Sequence, residues 1–327
     1  MKLCVLTYNV CWGCMKNNSR DQTASELAKR CKRDACLRQV ADNIDRAGEA
    51  SLQEQCGPLL AVGLQEASRH EVLQQQSRVL RDMQVSSHTQ GREHLALFLC
   101  DALHIAWSGV GHISKRPLQV VLAQGGGDRT FLFVHFHNNH HQKGTRECIQ
   151  KGVAGVRPQA PHVEDWHSVL SDLPSDAVVV AMGDWNEFID GSLRPFALCA
   201  QAPQRVQEMR LTYSNKPPLS CCSVRRDFTR AHPADYVLSN RQVLNRLAPL
   251  ASAGDASDHL PVIGTIDTDV IVERLPTAAS PTRRASAGDK SRTPLRRWLL
   301  AGMPGAAALA IYLWSLRRSP GGVAQSA

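Results

Sequence analysis

The first 273 residues read as one α/β or α+β domain. Apolar runs of strand length recur from residue 2 to residue 266, with helix-favouring segments between them and no internal repeat. The chain has 327 residues, enough for one large core or for two domains at ~100–200 residues each. Its composition, 43% hydrophobic and 21% charged, excludes disorder over most of that length. A single long apolar stretch excludes a multi-span membrane protein.

Taken in order, residues 2–8, KLCVLTY, form a β-rich run that ends at Asn9. Residues 21–47 favour a helix whose apolar positions are Leu27, Leu37, Val40 and Ile44. Leu59–Leu64 is an apolar run ending in Gln65-Glu66, and the pattern predicts a helix over 69–81. Leu95–Cys100 and Ile105–Trp107 read as one hairpin. Gln119–Ala123 and Thr130–His137 read as a second, with Gly125-Gly126-Gly127 between its strands. Val163–Leu173 is a helix closed by Pro174. Ala177–Met182 is a continuous apolar strand broken at Gly183, and Tyr236–Leu238 and Pro261–Ile266 are the last strands.

Beyond residue 273 the chemistry changes. The net charge is +8, from 38 basic and 30 acidic residues. Nine basic residues and one acidic residue fall in 274–327, so the tail holds the whole surplus and the body is close to neutral. Bulk charge therefore gives the body no support as a nucleic-acid binder. Residues 274–297 are rich in Pro, Ala, Ser, Thr and Arg and read as a basic flexible linker. Residues 298–316, WLLAGMPGAAALAIYLWSL, are uncharged and bracketed by Arg296-Arg297 and Arg317-Arg318. As a helix they would reach ~28 Å, close to the hydrocarbon core of a bilayer. They are expected to be a single transmembrane tail anchor, with 317–327 as a short tail. The basic flank predicts a catalytic domain that faces the cytoplasm on an intracellular membrane. The 11 cysteines are odd in number, and no secretory signal precedes them. A reducing compartment follows, with most cysteines acting as small core residues; Cys11-x-x-Cys14 and Cys221-Cys222 read as structural.

Polar clusters stand where the apolar runs end: Tyr8-Asn9, Gln65-Glu66, His135 in FVHFHN, Asp184-Trp185-Asn186 after Gly183, Asp235 in ADYVLSN, and Ser257-Asp258-His259. Such positions deliver side chains from buried strands to the rim of a sheet. Together they describe one job. The carboxylates of Glu66 and Asp258, with the amide oxygen of Asn9, suit Mg²⁺ or Mn²⁺, which prefer oxygen ligands and keep several waters. A hydrated hard cation suits a phosphate substrate. A protonated His259 can neutralise a phosphoryl oxygen, and Asp235 can orient its ring. Asp184 can orient or deprotonate an attacking water, and Asn186 can donate a hydrogen bond without adding charge.

This ordered set resembles the endonuclease/exonuclease/phosphatase superfamily, the DNase I-like fold. LTYNV matches its first strand at Asn9, GLQEAS its metal motif at Glu66, and FVHF its strand histidine at His135. GDWN matches at Asp184 and Asn186, ADYVLSN at Asp235, and SDHLPV at Asp258 and His259. ISKRPLQVV resembles its mid-domain hairpin. The resemblance covers roughly residues 1–267. It implies a four-layered α/β/β/α sandwich with the active site at one end. It also implies a Mg²⁺-dependent hydrolase that cleaves a phosphate ester by in-line attack of water. Metal falls to Asn9, Glu66 and Asp258 by this resemblance, and the chemical step to His135, Asp184, Asn186, Asp235 and His259.

The substrate is open. The late region, SCCSVRRDFTRAHPADY, lacks the Trp-Cys-Asp-Arg motif of the inositol-polyphosphate phosphatases and the Trp-Arg-x-Asp-Tyr motif of the abasic-site endonucleases. Arg225 and Arg226 are candidates to face an anionic substrate. Trp185 is a candidate to stack on a base, with core packing as the alternative. HFHNNHHQKGTREC holds four histidines and a cysteine, but in no standard zinc spacing. His137, Asn138 and His140 follow the strand histidine and are expected near substrate. A nuclease-like phosphodiesterase is the first reading, with nucleic acid as the favoured partner. A membrane-apposed phosphoinositide phosphatase or sphingomyelinase-like enzyme acting on a lipid headgroup is the second. A catalytically silent, membrane-tethered binding module is the third.

Overall fold

A computed structural model describes residues 1–10, 35–138, 145–160, 163–186, 196–197, 204–221, 233–251, 257 and 259–271. The chain divides into two units, Met1–Leu275 and Pro276–Ala327, and every described residue lies in the first. The linker and the apolar stretch 298–316 therefore lie outside the described residues. Among the described residues no helix is long and apolar enough to cross a membrane.

Fourteen strands and five helices are described. In chain order they are β1 (Lys2–Asn9), α1 (Ala35–Gln53), β2 (Ala61–Gln65), α2 (His70–Gln76), β3 (Gln84–Gln90), β4 (Glu93–Leu99), β5 (Leu103–Ile113), β6 (Arg116–Gly125) and β7 (Arg129–His137). There follow α3 (Thr145–Ala154), β8 (Arg157–Pro158), α4 (Trp166–Asp172), β9 (Val178–Asp184), β10 (Phe196–Ala197), α5 (Gln204–Glu208), β11 (Arg210–Leu211), β12 (Asp235–Ser239), β13 (Arg241–Leu247) and β14 (Val262–Ile271). Two six-stranded mixed sheets result. The first runs β13-β14-β1-β2-β4-β3 and the second β12-β9-β7-β6-β5-β8.

The sheets pack face to face, and period two assigns each side chain. On β1, Leu3 and Val5 enter the core between the sheets, while Cys4, Leu6 and Tyr8 enter the core under α1. On β2, Ala61 faces the other sheet, and Val62 and Leu64 face α1. Burial on both faces is why these strands read as continuous apolar runs rather than alternating ones. Helix α1 turns Leu37, Val40, Ala41, Ile44 and Ala47 onto its sheet, the spacing of one helical face. On the far side, Trp166 at the start of α4 stacks on Trp107 of β5 at 5.2 Å. Asp165 caps that helix by accepting from the backbone N–H groups of His167 and Ser168. The layers are thus α/β/β/α.

The edges are managed locally. β12 ends its sheet, and the Asn245 amide takes the place of a neighbour: it accepts from Val237 N at 2.7 Å and donates to Val237 O at 2.9 Å. That pairs backbone groups an edge strand would otherwise present to another chain. At the other end of the first sheet, β3 is a polar, half-exposed strand, QVSSHTQ.

Three expectations change. Leu95–Cys100 and Ile105–Trp107 do not pair with each other: β4 pairs with β2 and β3, whereas β5 pairs with β6 and β8, so the short link between them crosses from one sheet to the other. The helix expected over 69–81 stops at Gln76, where Ser77 turns extended and its hydroxyl binds the Asp45 carboxylate of α1 at 2.6 Å. Cys4 and Cys56 are not separate core thiols but are joined in a disulfide, with Cα atoms 5.6 Å apart.

Candidate active site

The topology gathers the chemistry at one end of the sandwich. β1, β2, β7 and β9 arrive there with their C-terminal ends, because β1 runs parallel to β2 and β7 parallel to β9. β4, β6, β12 and β14 run antiparallel to these neighbours and arrive with their N-terminal ends. The residues delivered are Asn9, Glu66, His137, Asp184, Glu93, Arg116, Asp235 and His259.

Asp184 is the hub and is fully buried. Its Oδ2 accepts from Asn9 Nδ2 at 2.9 Å and lies 3.3 Å from His137 Nε2 and 3.7 Å from His259 Nε2. Its Oδ1 accepts from Asn186 N at 2.9 Å. Burial alone would raise its pKa, but His259, His137 and the Asn9 hydrogen bond hold it well below the usual carboxylate range. Gly183 makes this placement possible. Its φ is +153°, and a Cβ there would lie 2.0 Å from Phe136 O, so β9 can approach β7 this closely only without a side chain.

Two imidazole–carboxylate pairs flank the hub. His259 Nδ1 lies 2.7 Å from Asp235 Oδ2, which leaves Nε2 directed at Asp184. Burial is the main influence on Asp235 and pushes its pKa up, with the nearby Asp184 charge adding to it and His259 offsetting part. Ser257 Oγ donates to Asn9 O at 2.6 Å and accepts from His259 N at 3.1 Å, tying this loop to the end of β1. Cys221 Sγ lies 3.5 Å from His259 Nε2. On the other side, His137 Nδ1 lies 3.3 Å from Glu93, which also binds Arg116 at 3.0 Å. Burial opposes the charge on His137, but the hydrogen bonds to Asp184 and Glu93 and the nearby Glu66 overcome it and raise its pKa to about 9. Glu66, Glu93 and Asp184 outnumber the two cations among them, which lets the Arg116 guanidinium approach the His137 ring to 2.9 Å.

Glu66 stands just past β2 with φ +60°. A non-glycine residue there is held against a conformational cost, as functional side chains often are. Its carboxylate lies 3.9 Å from His137 and 4.0 Å from Arg116.

The donor set fits a hard divalent cation. Glu66, Glu93 and His137 bring ligand atoms within 4.8 Å of one another, and Asp184, Asp235 and His259 do the same. Carboxylate oxygens predominate, the preference of Mg²⁺ and Mn²⁺. Asn9 spends its donor end on Asp184, so its oxygen is the end a cation would take.

Six of the expected site residues converge in this way: Asn9, Glu66, Asp184, Asn186, Asp235 and His259. Two expectations are corrected. His135 is wholly buried between the sheets, one step below the rim, and the histidine that meets Asp184 is His137, its register partner across β7 and β9. Trp185 presents no face to a substrate. It is wholly buried, stacks on Tyr236 at 4.8 Å and donates from Nε1 to Tyr236 O at 3.0 Å, because strand alternation turns it away from Asp184. Asp258, Arg225, Arg226 and His140 lie outside the described residues. Glu93 and Arg116 are new to the site. They begin antiparallel strands, and no apolar run leads into them.

No family model matches the chain, and no curated protein matches it in sequence. Solved structures do match in shape. A functionally unknown conserved protein from Enterococcus faecalis shares 14% identity, with 82% of this chain and 99% of that one covered and a TM-score of 0.51. An endonuclease/exonuclease/phosphatase from Beutenbergia cavernae shares 12% identity, covering 84% of this chain and 72% of that one at a TM-score of 0.48. Truncated Caenorhabditis elegans TDP2 shares 12% identity, covering 81% and 97% at 0.49. The chain shares its fold with the Enterococcus faecalis protein. The two mixed six-stranded sheets fit the α/β sandwich that the sequence motifs implied, and Asn9, Glu66, Asp184 and His259 lie together at one end of it.

Proposed function

We propose that the protein is a metal-dependent phosphoesterase that hydrolyses phosphodiester bonds by in-line attack of water. The observation that carries this is Asp184: a buried carboxylate held between two imidazoles, His137 and His259, each with its own carboxylate partner. Asp184 stays ionised at neutral pH and so serves to align a water through its oxygens. His259, with Nδ1 committed to Asp235, offers Nε2 to take that water's proton or to contact the phosphate. His137 is cationic at neutral pH and neutralises a phosphoryl oxygen, with Glu93 fixing its ring. Asn186, tied to Asn138 O by its Nδ2 at 2.8 Å, lines the same wall.

A bound Mg²⁺ or Mn²⁺ supplies charge stabilisation at the phosphate. Glu66 and Asn9, with Asp258, are the residues proposed to hold it. The described site is rich in carboxylates, so a diester with one negative charge enters at lower electrostatic cost than a terminal phosphate with two. Nucleic acid is the proposed substrate class. The second reading, a lipid headgroup, rests on the apolar stretch 298–316, which would hold the enzyme at an intracellular membrane with the catalytic domain on the cytoplasmic side.

The test uses the full chain with Mg²⁺ or EDTA, and Asp184→Asn as the blank. Bis(4-nitrophenyl) phosphate, 4-nitrophenyl phosphate, single- and double-stranded DNA, RNA, phosphoinositide vesicles and sphingomyelin vesicles are the substrates. EDTA-sensitive cleavage of the diester and of a nucleic acid, lost in the blank, is the expected result. Turnover of a lipid alone would replace nucleic acid by the headgroup. Turnover surviving both EDTA and Asp184→Asn would overturn the site.

A further inference from the structure

We propose that His135 is a positioning residue, whose hydrogen bond to Gln65 across the two sheets fixes the Glu66 carboxylate; this rests on the metal-dependent reading above.

His135 and His137 share one face of β7, and His135 lies one layer deeper, wholly buried. Its Nε2 is 2.6 Å from Gln65 Nε2. An amide nitrogen donates, so the ring nitrogen accepts and the proton sits on Nδ1. The same amide lies 3.1 Å from Thr7 Oγ1 and 3.1 Å from Gly63 O, which ties β1, β2 and β7 into one polar layer under the site. Burial, with the His137 charge adding to it, lowers the His135 pKa to about 3, so the ring is a neutral acceptor at every working pH.

The ring lies directly on β2. A Cβ at Gly63 would come within 3.0 Å of its Cδ2 and Nε2. Gln65 is the last residue of β2, and the next residue is Glu66, whose left-handed backbone must be held from both sides. On the far side Ala67 N donates to His94 O at 3.1 Å. On the strand side Gln65 O accepts from Val10 N at 3.1 Å, and the Gln65 side chain adds a second hold whose anchor in the opposite sheet is His135.

Packing alone does not ask for an imidazole. Phe131 and Phe133 fill the same face of β7 one and two steps further down. The Nδ1 of His135 has no hydrogen-bond partner, nor has Gln65 Oε1, and a buried polar atom left so is a cost an apolar side chain would avoid. What the imidazole adds over phenylalanine is the acceptor aimed at Gln65.

The experiment compares the full chain with His135→Phe and His135→Gln. Mn²⁺ affinity is read by titration calorimetry, melting temperature in EDTA, and turnover of bis(4-nitrophenyl) phosphate against metal concentration. Removing the acceptor is expected to weaken Mn²⁺ binding by about tenfold, the low end for a group behind a metal ligand. Half-maximal activity should move to higher metal by the same factor, with kcat at saturating metal little changed. The Phe variant should melt no lower than the native chain, and the Gln variant, whose amide oxygen restores an acceptor, should recover Mn²⁺ affinity. Native Mn²⁺ affinity in the Phe variant would overturn the inference. So would equal losses of melting temperature and affinity in both variants, which a purely structural role predicts. A native chain that binds no Mn²⁺ would instead sink the metal-dependent reading, and this inference with it.

Discussion

His137 and His135 stand two residues apart on one face of one strand, yet they occupy two different environments. At the rim, His137 has three carboxylates within 4 Å and carries a proton up to about pH 9. One layer below, His135 meets an amide and the backbone of β2 and stays neutral down to about pH 3. The side chains are identical and the burial is nearly so. Charge partners decide the difference, because desolvation acts on both rings in the same direction. Strand period two sets which face a residue takes; depth along that face sets its chemistry.

The largest effect should come from the hub of the upper layer. Asp184→Asn is expected to lower kcat by ~10³-fold or more while the melting temperature stays near native, measured on any turned-over diester. A smaller loss would mean that the two imidazoles do not need the charge between them. His137→Gln should lower kcat by ~10²–10³-fold at saturating metal, against less than ~10-fold for His135→Phe. Equal losses at the two positions would erase the distinction between the layers. Trp185→Ala should act on the fold, removing about 3–5 kcal/mol of stability by denaturant titration. Loss of substrate affinity without loss of stability would return Trp185 to the substrate side.

The smallest effect is also the most direct comparison of the two rings. For metal-free protein in EDTA, the folded state binds fewer protons than the unfolded state at His135 between about pH 3 and 6.5, so stability falls as pH drops through that range. At His137 the folded state binds more protons between pH 6.5 and about 9, so stability falls as pH rises through that range. His135→Phe should flatten the acid limb above pH 4, leaving the part due to His88, whose pKa burial also lowers. His137→Gln should flatten the alkaline limb. Limbs unchanged from native in melting temperature against pH would show that neither ring titrates as its surroundings demand.

Part of the upper layer is legible in the sequence because an apolar run that stops at a polar pair marks a strand reaching a rim. Asn9, Glu66 and Asp184 were found this way. FVHFH offers two histidines on the same face, and the sequence alone does not say which one stands at the rim. Which one reaches the rim is fixed by the register of β7 against β9, which pairs His137 with Asp184. Glu93 and Arg116 gave no such signal, since they open antiparallel strands and look like ordinary turn charges. The misread hairpin has a similar cause: a short link between two apolar runs looks alike whether it turns back within a sheet or steps to the next one.

The place of β1 has a consequence for how the protein is made. Of the described strands it is the first to be synthesised, yet it lies inside its sheet between β2 and β14. β14 starts at Val262, roughly 250 residues later, and at ~5–20 residues per second a ribosome needs tens of seconds to reach it. Until then one whole edge of β1, with an apolar side chain at Leu3, Val5 and Leu6, has no native neighbour. The nascent chain therefore waits with an open strand, and the step most exposed to chaperones, to truncation and to ribosome stalling is the closing of the first sheet by β14, the last of the described strands.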